Sequence, residues 1–278
     1  MRFYSFQVEK EVLMIISISS MKGGCGKSTT TILLANCLAA RGKSILIVDF
    51  DTNNSVTNYY TTGIQNAQET CMEHNLFIAL NKNDCTNEII QTNVKGIKLI
   101  PSSVRLDDLR AIEYRRFSKI IKVVEDNFDF IILDTPPTYS NHTMSAIYAA
   151  DTILTPLFLD TFNYTTACYL EEKMHDELSE KCDNWYFIYT AWETQWEEFP
   201  NSTQSQWDKI FESKFENIID IKIPGTKLAK NYISTGIKLD INSKYSAGSK
   251  KLAIAFNELA NALCGFDKND TTQYAEVF

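Results

Sequence analysis

The run Lys22-Gly23-Gly24-Cys25-Gly26-Lys27-Ser28-Thr29 constrains this 278-residue chain more than any other feature. It follows an apolar stretch, Met14-Ile15-Ile16-Ser17-Ile18-Ser19, with the make-up of a buried strand. It leads into Thr30 to Ala40, which has the make-up of a helix. A strand, a glycine-rich turn and a helix start, in that order, form the context of a phosphate-binding loop. Glycines let successive backbone N–H groups converge on phosphate oxygens, and the helix N-terminus adds its positive dipole end. On that reading Gly23, Gly24, Cys25 and Gly26 supply the cradle. Lys27 reaches the β- and γ-phosphates, and the Ser28 hydroxyl sits on Mg2+.

One departure narrows the reading. The general pattern opens with a glycine where this chain has Met21, and a second lysine, Lys22, follows. With that lysine in place the loop resembles the ParA/MinD family of deviant Walker-A ATPases, most closely a short ParA-type partition ATPase. The resemblance covers about residues 14–264. It implies ATP and Mg2+ as ligands and Thr29 at the α-phosphate. It also implies a dimer that sandwiches the nucleotide, in which Lys22 reaches the partner's ATP. Lys22 then acts like an arginine finger supplied in trans, so turnover requires dimerisation.

The rest of the chain alternates strand-like and helix-like segments. Strands are expected at 14–19, 44–49, 97–100, 128–133, 152–157, 185–190 and 219–223, several of them apolar on both faces. Helices are expected near 28–41, 71–80, 105–126, 142–150, 163–180, 204–216, 226–234 and 248–264. Such interleaving predicts an α/β fold, a doubly wound and mostly parallel sheet with helices on both faces. A hydrophobic content of 44% supports one large core. The expected organisation is an N-terminal extension over 1–13, a single P-loop ATPase domain over 14–266 and a polar tail over 267–278. Residues 1–13 are either a surface extension or untranslated, with Met14 as the start.

Two strands end in acids. Ile45-Leu46-Ile47-Val48 runs into Asp49 and Asp51, spaced so that both carboxylates fall on one side at the carboxyl edge. By the family resemblance Asp51 opens the switch segment that positions the attacking water. Here that segment reads Asp51-Thr52-Asn53, so the family's Pro and Gln are both replaced. Phe128 to Leu133 ends in Asp134-Thr135-Pro136-Pro137, and the resemblance gives Asp134 the metal together with Ser28. It also places Pro224 beside the adenine, and puts Tyr189 or Thr190 where relatives carry a base-reading Asn.

Seven cysteines without a C-x-x-C pair suit a reducing cytoplasm, and Cys25 stands at a permissive loop position. The net charge of −8 excludes a chain that coats nucleic acid with its whole surface. Its distribution is uneven. Residues 222–251 carry seven lysines against the single acid Asp240, a candidate anion-binding face. Lys227, Lys230, Lys244, Lys250 and Lys251 are therefore the candidate DNA contacts. No apolar stretch reaches the roughly 20 residues of a membrane span, and the chain's end is no basic amphipathic anchor. The expected function is a dimerising ATPase that partitions DNA, cytoplasmic and nucleoid-associated. It binds non-specific DNA in its ATP state and is released when a ParB-type partner stimulates hydrolysis. The alternative is a MinD-like or orphan ATPase that positions a protein or membrane cargo.

Overall fold

The computed structural model describes residues 13–109, 111–193, 202–225 and 246–264. Eight strands form one sheet: β1 (Met14–Ile18), β2 (Ile45–Asp49), β3 (Ile90–Gln91), β4 (Ile97–Ile100), β5 (Phe130–Asp134), β6 (Thr152–Leu157), β7 (Trp185–Trp192) and β8 (Ile218–Pro224). Their order is β3-β4-β2-β5-β1-β6-β7-β8. Every pair is parallel except β3 with β4, a short antiparallel edge. The expected doubly wound sheet is the one found.

Alternation along the strands sends neighbouring side chains to opposite faces. Ile16, Ile47, Ile132 and Leu154 face one layer, where they pack with α1 (Lys27–Ala40), α2 (Ser55–Thr61) and α9 (Ser246–Cys264). Ile15, Leu46, Val48, Ile131 and Ile153 face the other. There they meet α4 (Leu76–Lys82), α5 (Arg116–Ile121), α6 (Asn141–Ala149), α7 (Thr161–Glu177) and α8 (Thr203–Lys214). Helix α1 lies between sheet and α9, with ten of its fourteen residues buried. A helix apolar on all sides requires such enclosure.

The structure corrects several expected boundaries. Residues 105–126 are no single helix: 3-10 turns at Val104–Leu109 and Glu125–Asn127 flank the short α5. The Leu106 carbonyl, which a continuous helix would pair internally, accepts instead from His142 Nε2 at 2.8 Å. The helix expected over 71–80 divides into α3 (Ala67–Glu73) and α4. Asn75 forces the break, since its side chain caps α4 by accepting from the Ile78 amide. Helix α2 and strand β3 were not anticipated, and the helix expected over 226–234 lies outside the described residues.

Candidate nucleotide site

Strand β1 lies between β5 and β6, so the loop after it opens at the centre of the sheet's carboxyl edge. Ligands of open α/β sheets bind at that edge. Two glycines there adopt left-handed backbone, Gly24 with φ +78° and Gly26 with φ +100°. Side chains with a Cβ rarely take those angles, which is why the turn needs glycine. Gly26 is the N-cap residue of α1, and its carbonyl accepts from the Thr30 amide at 2.8 Å.

The loop is held from below by β7. Thr190 Oγ donates to the Cys25 carbonyl at 2.7 Å and lies 3.1 Å from that of Leu157. Its proton is thus directed to the backbone, and Thr190 braces the phosphate loop. Lys27 is 94% buried, and its Nζ donates to the Lys22 carbonyl at 3.0 Å. The Cys25 thiol donates to the same carbonyl at 3.1 Å, so Cys25 is a packed part of the loop. Lys22 itself extends over the ring of Phe162, 5.1 Å from Nζ to centroid, at the start of α7.

Two acids face each other across the sheet. Asp49 at the end of β2 is in register with Asp134 at the end of β5, and both are fully buried. Asp134 accepts from Ser28 Oγ at 2.8 Å and from Thr31 Oγ1 at 2.7 Å. Burial pushes its carboxyl above the usual carboxylate range, opposed by those two hydroxyls and the Lys27 charge. Burial raises Asp49 as well, reinforced by the negative charge of Asp134. Asp49 accepts from the Asp51 amide at 3.0 Å and from the amide and hydroxyl of Thr57 at 2.9 and 2.7 Å. Asp51, nearly buried, accepts from the amide and side chain of Asn53 at 3.0 and 2.9 Å. The switch-like turn is therefore tied down at both of its acids.

Ser28 and Asp134 offer hard oxygens at one point beside the loop. That donor set fits Mg2+, which keeps few protein ligands and takes the rest from phosphate and water. Among the described residues no cluster of three or more His, Cys, Asp or Glu offers an all-protein metal cage. A cavity of about 400 Å³ adjoins the loop, lined by Gly24, Cys25, Gly26 and Thr29 together with Thr190 and Pro224. The structure thus brings Pro224 into the same cavity as the loop. Lys250 and Lys251 are exposed on α9, whereas Lys227, Lys230 and Lys244 lie outside the described residues. Sequence reading missed Thr31 and Thr57, since a threonine inside a helix carries no signal until its partner strand is known.

Comparison with known proteins gives the family and the fold. The sporulation initiation inhibitor protein Soj of Bacillus subtilis is 33% identical over 150 residues, 51% of this chain and 57% of Soj. The virulence plasmid ParA family protein pGP5-D of Chlamydia psittaci is 26% identical over 212 residues, 73% of this chain and 77% of that protein. The matched part spans about half the length of the first curated relatives. Among solved structures, cobyrinic acid a,c-diamide synthase from Mycobacterium smegmatis, with a bound ATP analog and magnesium, superposes with a TM-score of 0.71. At 19% identity, over 91% of this chain and 94% of that one, it shares the fold. The family described as AAA_31, an AAA domain, matches residues 13–177, and the chain belongs to it as a P-loop ATPase of the ParA/MinD type.

Proposed function

We propose that this protein is an ATP hydrolase that dimerises around its nucleotide and partitions DNA in its ATP state. One observation carries the chemistry. The left-handed glycine loop, Lys27, the Ser28–Asp134 pair and the Pro224 cavity all meet at one sheet edge. Phosphoryl transfer needs positioning and neutralisation of spreading charge more than covalent help. Loop amides and Lys27 bind the β- and γ-phosphates, and Thr29 serves the α-phosphate. Asp51 orients the water that displaces ADP from the γ-phosphorus. Ser28 and Asp134 hold Mg2+, which neutralises phosphate charge when bound. Lys22 serves the partner subunit's nucleotide; the placement of its half-buried side chain over the exposed Phe162 ring supports that role.

The likeness to a virulence plasmid ParA family protein supports partition as the task, with the catalytic domain extending over 14–266. The exposed Lys250 and Lys251 are the described members of the proposed DNA face, and a ParB-type partner is proposed to stimulate hydrolysis. No described helix is long and apolar enough to cross a membrane. The deciding experiment measures ATPase rate against protein concentration, with and without random duplex DNA, for wild type and Lys22→Ala. The expected rate rises more than linearly with protein, and Lys22→Ala binds ATP but turns over poorly. A rate linear in subunits, or a fully active Lys22→Ala, overturns the shared site. DNA retention should weaken steeply with salt, and no retention at low salt overturns the DNA reading.

A further inference from the structure

The Asp134 carboxylate is held at both of its oxygens. Oδ2 accepts from Ser28 Oγ at 2.8 Å, and Oδ1 accepts from Thr31 Oγ1 at 2.7 Å. The two hydroxyls stand three residues apart on α1, so they share one helix face and reach β5 together. Their settings differ. Ser28 is half-buried beside the phosphate loop, whereas Thr31 and Asp134 are fully buried. Thr31 therefore has no surface to offer a nucleotide or a cation, and its influence on either passes through Asp134.

Thr31 also departs from the local habit of helical threonines, which return the hydroxyl to the carbonyl four residues back. Thr61, Thr70, Thr165 and Thr166 all do so, at 2.8, 3.1, 2.9 and 2.8 Å. Thr31 donates instead to a carboxylate 103 residues away in sequence. That contact matters because of rotation. The last torsion of an aspartate joins an sp3 to an sp2 carbon, and its preferences are broad. Rotamer preference therefore leaves the carboxylate plane loosely set, while a donor on each oxygen fixes it. Loss of the Thr31 hydroxyl orphans Oδ1 in a buried setting, where an unmet acceptor is costly. The plane is then free to turn and carry Oδ2 off Ser28.

We propose that Thr31 is a positioning residue of the metal site: by holding Asp134 Oδ1 it keeps Oδ2 on Ser28 and so raises the affinity for nucleotide-bound Mg2+. This role rests on the Mg2+ site proposed above. Groups that orient a metal's own ligands typically change metal affinity by about 10–100-fold when removed. The spacing of Ser28 and Thr31 on one helix ties that orientation to the phosphate loop, from which α1 starts.

The test uses the full chain and a fluorescent, non-hydrolysable ATP analogue, titrated in EDTA and then with increasing MgCl2. Wild type, Thr31→Val, Thr31→Ala and Thr31→Ser are compared, and each substitution is repeated in an Asp134→Asn background. Valine keeps the shape of threonine without its hydroxyl, serine keeps the hydroxyl, and alanine guards against a misfit of the valine. In EDTA all four proteins should bind the analogue alike. The Mg2+ concentration that gives half the gain in binding should rise about tenfold or more in Thr31→Val and Thr31→Ala. In Thr31→Ser it should stay close to wild type, and in Asp134→Asn the three substitutions should add nothing. An unchanged Mg2+ requirement in the valine and alanine variants overturns the role. So does an equal loss with and without Mg2+, a serine that fails to rescue, or an undiminished effect in Asp134→Asn. Analogue binding by wild type that ignores Mg2+ overturns the metal site and this role together. Mg2+-dependent binding by a wild type that never hydrolyses ATP overturns the hydrolase reading alone.

Discussion

Thr57→Val tests whether the Asp49 clamp stabilises the switch-like turn. Valine keeps the shape of threonine and removes only the hydroxyl, at a position 95% buried. That hydroxyl donates to Asp49 Oδ2 at 2.7 Å and accepts from the Ser102 amide at 3.0 Å. At a pH above the raised Asp49 value of about 8, where that carboxyl is ionised, losing a hydrogen bond to it costs about 1.5–3 kcal/mol, and an orphaned buried amide about 1–3 kcal/mol. Asp49 keeps the amides of Thr57 and Asp51, so the two costs overlap. The expected destabilisation is about 2–4 kcal/mol. Urea unfolding followed by circular dichroism measures it, with an unchanged slope marking a change in stability alone. Thr57→Ser keeps the hydroxyl and should lose about 1 kcal/mol, roughly one buried methyl group. A double-mutant cycle with Asp49→Asn should show a coupling of about 1 kcal/mol or more, as for residues sharing one network. A Thr57→Val protein within about 0.5 kcal/mol of wild type, or strict additivity with Asp49→Asn, refutes the clamp.

Two further outcomes follow from the same geometry. Gly26→Ala forces an L side chain onto φ +100° and should cost about 1–3 kcal/mol in thermal unfolding, whereas Gly23→Ala, 4.0 Å from the Pro137 Cβ and without a left-handed backbone, should cost little. In ligand-free protein, Asp49 has a folded-state pKa above its unfolded value, so the folded state retains a proton that the unfolded chain releases. Its contribution is then complete below the usual carboxylate range of about 4 and is lost as pH rises through the raised value. Melting temperatures measured between these limits should fall for wild type relative to Asp49→Asn as pH increases, and parallel curves would contradict the assignment.

What was legible in the chain was local. The glycine-lysine loop, the strand before it and the helix after it are contiguous, so their spacing alone dictates a phosphate cradle. Apolar runs ending in Asp51 and Asp134 were equally readable, because strand alternation and a terminal acid need no distant partner. The structure placed these where spacing implied and added Pro224 to the same cavity. Tertiary packing decided the remainder. Thr31 matters because β5 brings Asp134 within 2.7 Å of it across 103 residues. Thr190 supports the loop because β7 runs beneath Cys25. The breaks between α3 and α4 and around α5 arise where side chains of Asn75 and His142 take up backbone groups. Such partners are set by the order in which strands pair. A single sequence records the periodicity of each element, but it does not record which atoms the folded sheet brings together.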